Sequence, residues 1–94
     1  MEILFTHITD TIQAGYIELG KYPNGNLAVQ LNTADEPYAT LSTTVAGVTL
    51  GENEFFAKTY SENTGLLEQF VENGLFEDTG RTTSGDTPIY KFNG

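Results

Sequence analysis

Alternation of apolar and polar side chains at every second residue, broken at intervals by turn residues, is the pattern that most narrows what this chain can become. Over Asn26–Asn32, Leu27, Val29 and Leu31 share one parity and Ala28 and Gln30 the other, so a strand here offers one side to a core. Just before it stands Pro23-Asn24-Gly25, where a preset φ is followed by an Asn-Gly pair that tolerates positive φ. With Gly15–Tyr22 on the other side, these residues read as a hairpin. Met1–Ile8 has the β-branched and aromatic content of a further strand. After a second turn at Thr33-Ala34-Asp35-Glu36-Pro37, Tyr38–Thr43 alternates again, which extends the hairpin into an antiparallel meander.

The second half is less regular. Phe55-Phe56-Ala57-Lys58 fits either a short strand or an irregular turn carrying a core aromatic. One helix is expected, capped by Asn63 or Thr64 and running to Asn73, with Gly74 as its stop. Its apolar stripe of Leu66, Leu67, Phe70 and Val71 has to be laid on the sheet. Glu77–Thr87, rich in Gly, Thr and Ser, reads as an exposed loop, and Pro88–Phe92 as a final strand at a sheet edge, since Pro88 lacks a donor. The expected fold is α+β: a mainly antiparallel sheet of four to six strands with one amphipathic helix packed on a face. With 94 residues, enough to bury roughly 60–70% of the unfolded chain's surface, residues 1–94 are expected to form a single globular domain.

Chemistry is limited mainly by what the chain lacks. It has no Cys, which removes disulfides, thiolate zinc sites and a cysteine nucleophile together and fits a reducing compartment. His7 is the single histidine and has no partner nucleophile in view, so a structural role is expected for it. Asp78-Thr79-Gly80 spells the aspartic-protease triplet, but Glu77 precedes it where that family has an apolar strand, so a turn is the better reading. No spaced set of oxygen ligands marks a calcium loop, and no Gly-rich pattern marks a phosphate cradle. The expectation is a non-enzymatic protein without cofactor or metal. The opening Met1–His7 has no basic, then apolar, leader pattern, and nothing approaches the ~18–20 apolar residues of a membrane span. The bacterial cytoplasm is the expected location, and a monomer or small homo-oligomer the expected state.

What remains is acidity. Thirteen Asp and Glu face four Lys and Arg, a formal net charge of -9. Such a field opposes direct contact with nucleic acid or anionic membranes and favours a basic protein surface. Glu68 and Glu72 lie one helical turn apart with no base beside them, and with Asp35, Glu36, Glu52, Glu54, Glu62, Glu77 and Asp78 they could form a broad negative face for partner binding. General solubility would account for the same residues.

Several stretches, in order, resemble a family of small proteins carried on bacterial conjugative elements and phages. They are Tyr22–Ala28, Glu36–Thr40, Phe70–Leu75, Thr79-Gly80, Ser84-Gly85 and Pro88–Asn93, within positions 15–94. That family has no agreed function, so no site residue carries over. The resemblance implies a genomic setting in which small acidic proteins often inhibit host defence, as anti-CRISPR and antirestriction proteins do, some of them imitating DNA charge. Two functions follow as expectations. One is an inhibitor that occupies a basic site on a CRISPR effector or restriction enzyme; the other is an accessory or structural interaction module of the element.

Overall fold

The computed structural model describes residues 2–7, 9–34 and 36–93. At the Pro23-Asn24-Gly25 turn the Gly25 N–H donates to the Tyr22 carbonyl and the Tyr22 N–H to the Asn26 carbonyl, both at 2.8 Å. This turn joins β2 (Thr9–Lys21) to β3 (Leu27–Thr33). β1 (Glu2–His7) pairs with β2 on its far side, and β4 (Glu36–Thr40) pairs with β3, so the expected meander forms in the order β1-β2-β3-β4.

The remaining strands make a second sheet, so the expected single sheet is in fact two sheets of four strands. β5 (Ser42–Thr43), β6 (Glu54–Ala57), β7 (Phe76–Thr82) and β8 (Pro88–Phe92) are arranged β5-β6-β8-β7, with antiparallel pairing throughout. Leu41 is the joint between the sheets. Its N–H donates to the Val29 carbonyl of the first sheet and its carbonyl accepts from the Lys58 N–H just after β6, both at 2.9 Å. Buried Ser42 then takes the place of a backbone partner, its hydroxyl oxygen accepting from the Val29 N–H at 2.9 Å.

Three further expectations are corrected. Glu77–Thr82 is not loop but most of β7, because β8 supplies its hydrogen-bond partners; only 83–87 connect the two strands. Pro88 does not place its strand at an edge, since β8 lies between β6 and β7, and Pro88 sits opposite Thr82 at the end of the ladder where its missing donor breaks little. The helix is also shorter than expected. A 3-10 turn at Ser61–Asn63 is followed by Gly65 at φ +79 and then by α1 (Leu67–Glu72), with no side-chain cap. Asn63 cannot cap it because its side chain is wholly buried and its amide donates to the carbonyls of Thr40 at 2.7 Å and Lys58 at 2.9 Å.

The apolar stripe of the helix is nevertheless used as expected. Leu66, Leu67 and Phe70 are fully buried and Val71 packs beside them. Phe70 lies between the sheets, its ring centroid 6.3 Å from Phe5 and 5.6 Å from Phe76 in edge-on contacts. Phe55 in turn meets Phe76 at 5.1 Å, so an aromatic row runs from β1 through α1 to β7 and β6. Each such buried Phe contributes about 1.5–3 kcal/mol of transfer free energy. Gly15 is required where β2 passes beneath this row: a Cβ there would come within 2.7 Å of the Asn32 carbonyl oxygen and 3.1 Å of the Phe5 ring.

Candidate functional site

The acids singled out above are distributed over several surfaces, and Asp35 lies outside the described residues. Three of the others stand beside bases. Glu62 accepts a 2.6 Å bond from the Lys58 ammonium, which holds its carboxyl down at about 2 and in return raises Lys58. Glu54 pairs with Arg81 and also accepts from the Gly51 N–H at 2.7 Å; that backbone bond, with Arg81 adding to it, lowers its carboxyl below the ordinary range. Glu77 lies opposite Lys91, which has Glu54 opposite it on its other side. Among the described residues, Lys58–Glu62 and Arg81–Glu54 are the ion pairs.

A second group makes no ion pair among the described residues. Glu68 and Glu72 are exposed on α1, and Asp78 is exposed on β7, the strand against which α1 packs. Glu68 and Asp78 both lie near Tyr90, whose hydroxyl is pushed up first by burial and then by the charges of Asp78 and Glu68; Glu72 is one helical turn from Glu68. Glu36, at the start of β4, and Glu52, in the turn before β6, are exposed and stand apart from this group. The acids therefore do not form one face: Glu54 and Glu62 are ion-paired, Glu77 lies opposite Lys91, Glu36 and Glu52 stand apart, and Glu68, Glu72 and Asp78 make an unpaired α1–β7 set.

Asp78 has a further local duty. Its carboxylate accepts from the Gly80 N–H at 2.9 Å while Gly80 takes φ +80, and the Thr79 hydroxyl donates to the Ile89 carbonyl at 2.6 Å. The Asp78-Thr79-Gly80 triplet thus builds an irregularity in the β7–β8 ladder. His7 is held at both ring nitrogens, with Nε2 2.5 Å from the Glu62 carbonyl and Nδ1 2.9 Å from the Tyr38 hydroxyl. A carbonyl can only accept, so Nε2 carries a proton and donates it to the Glu62 carbonyl, while Nδ1 shares the second bond with the Tyr38 hydroxyl. The imidazole ties β1 to β4 and to the 3-10 turn.

A polar cleft of about 560 Å³ lies between the β2–β3 turn and residues 48–54. Two of its donors are committed, since the Asn24 and Asn26 amides both donate to the Thr44 hydroxyl oxygen, at 2.8 and 2.9 Å. No group of three His, Cys, Asp or Glu that could hold a metal occurs among the described residues. Among them, no helix is long and apolar enough to cross a membrane.

One feature escaped the sequence reading. Leu4 is 63% and Ile12 68% exposed, and with Ala14 and Tyr16 they line the outward face of β1 and β2. Its signal was present: Ile12, Ala14 and Tyr16 fall on one parity of β2 and Ile17 and Leu19 on the other, so the strand carries apolar groups on both faces. Compared with known proteins, the chain matches no family model, no curated protein and no solved structure.

Proposed function

We propose that this chain is a non-enzymatic binding protein whose acidic α1–β7 side docks on a basic protein surface. The observation that carries the reading is that Glu68 and Asp78 both lie near Tyr90, with Glu72 one turn along α1, and that none of the three makes an ion pair among the described residues, while Lys58, Arg81 and Lys91 stand beside other acids. Exposed carboxylates without partners contribute little to stability and much to the rate at which a cationic surface is found. The narrower reading is that the surface belongs to a CRISPR effector or restriction enzyme and that docking displaces nucleic acid. It is supported by the resemblance to proteins of mobile elements and by the net charge of -9. A second reading, an assembly module of such an element, is favoured by the exposed Leu4, Ile12 and Tyr16.

The test is competition with DNA for purified CRISPR effector complexes and restriction enzymes, with the wild type and a Glu68→Lys/Glu72→Lys/Asp78→Lys variant compared over a salt series. Displacement by the wild type that weakens with salt and is lost in the variant is the expected result. Equal displacement by both removes the α1–β7 side from the mechanism. Displacement by neither removes the nuclease reading.

A further inference from the structure

An unpaired strand edge is a template for another strand, and folded proteins usually block it with proline, bulges, charge or very short length. Three of the four edges here are blocked in such ways. β4 carries Pro37 and faces a register irregularity at Leu31/Asn32. β5 is two residues long. β7 is interrupted between Asp78 and Thr82 and carries Glu77, Asp78 and Arg81. β1 has none of these over Glu2–Phe5 except the charge of Glu2, and its register with β2 is unbroken there.

The far half of the β1 edge already shows what it accepts. The Thr6 N–H donates to the Gln69 side-chain oxygen at 2.9 Å, and the Gln69 side-chain nitrogen donates to the Thr6 carbonyl at 2.5 Å. The carboxamide of Gln69 thus replaces one peptide unit of a missing strand. Because backbone groups on a strand alternate in direction, Leu4, two residues away, turns its N–H and carbonyl the same way as Thr6. No partner meets them among the described residues. Beside them runs a groove of about 410 Å³ bounded by Glu2, Ile3 and Leu4 on one side and by Asn73, Leu75 and Asn93 on the other.

We propose that this groove receives an extended, lysine- or arginine-bearing segment of a partner protein, which adds to β1 as a fifth strand of the first sheet. The backbone of the segment would pair with Leu4 and continue the ladder that Gln69 begins. A side chain opposite Leu4 would extend the apolar row of Leu4 and Ala14. The charge of the occupant follows from the protein: the groove is lined by one acid and no base, on a chain of net charge -9. A second copy fits less well. Two-fold pairing about Leu4 sets Glu2 against Thr6, whose groups Gln69 already holds, and brings two chains of charge -9 together. The proposal concerns a different surface from the α1–β7 acids and stands or falls separately from them.

The probe is a capped seven-residue peptide alternating lysine with valine, and the readout is hydrogen exchange at the Leu4 amide. The peptide is expected to slow that exchange by about tenfold or more at saturation. A glutamate–valine peptide should have no such effect, nor should the lysine peptide with alternate backbone nitrogens methylated. Leu4→Lys, at an exposed position, keeps the amide that is read and should abolish the response by repelling the peptide, whereas Leu4→Glu should retain it. Unchanged exchange at Leu4, or an equal effect of the methylated peptide, overturns strand addition. An equal effect of the glutamate peptide, or concentration-dependent dimerisation that protects Leu4 without peptide, overturns the choice of occupant.

Discussion

The β5-β6-β8-β7 sheet buries side chains on both faces, whereas the β1-β2-β3-β4 sheet buries them on one. In the former, Phe55 and Tyr90 face the common core and their neighbours Phe56 and Ile89, a cross-strand pair on the opposite face, are equally withdrawn from solvent. In the latter, Ile3, Phe5, Val29 and Leu31 face the core, and Leu4 and Ile12 on the other side stay in water. Both sheets follow the same alternation, so the pattern of a strand does not say how many of its faces will be covered. Coverage depends on segments far away in sequence.

The largest effects should separate the sheets sharply. Phe56→Ala and Phe70→Ala should each cost about 3–5 kcal/mol in denaturant unfolding, while Leu4→Ala and Ile12→Ala should stay within about 0.5 kcal/mol. A large loss from Leu4→Ala would mean that the outer face of the first sheet is covered after all. The next contrast lies within β2. Gly15→Ala forces a methyl against the Asn32 carbonyl and should cost about 1–3 kcal/mol, whereas Gly20→Ala, with nothing within 4 Å of the new carbon, should be neutral or slightly stabilising. Similar melting curves for the two would contradict the close packing of Phe5 over Gly15.

The smallest effect concerns alkaline pH and the second sheet alone. Burial raises the Tyr90 hydroxyl above its ordinary value of 10.0, so the protonated form is favoured by folding. Its contribution is complete below pH 10 and is lost as pH rises through the folded value. Unfolding free energy should therefore fall more steeply above pH 10 in the wild type than in Tyr90→Phe, measured by denaturant titration at each pH. Parallel profiles would show that the hydroxyl is solvated in the folded protein.

How much could be read from the residues follows the same division. The meander was legible because its signals are local: the Pro23-Asn24-Gly25 turn and the parity of Leu27, Val29 and Leu31 need no distant partner. Phe76–Thr82 was not, because Asp78, Thr79 and Gly80 are turn formers, and only pairing with β8 makes the segment a strand. Asn63 looked like a helix cap since the carbonyls that claim its amide, on Thr40 and Lys58, come from other parts of the chain. Among the acids, composition gave the candidates but not their grouping, as Glu54 and Arg81 are 27 residues apart. The open edge of β1 was hidden for a related reason: whether a strand is at an edge is a property of the sheet, not of its residues.

The place of β8 between β6 and β7 has a consequence in time as well as space. It follows both neighbours in the chain, so neither can complete its pairing until residues 88–92 exist. The meander needs nothing beyond Thr40 for its own ladder and can zip from hairpin to hairpin as the ribosome delivers it, since short-range pairing closes small loops first. Phe55, Phe56 and Phe76 emerge later and must wait, with apolar surface uncovered, for the strand that joins them. A chain arrested before Pro88 would hold a finished meander beside an empty slot, one strand wide.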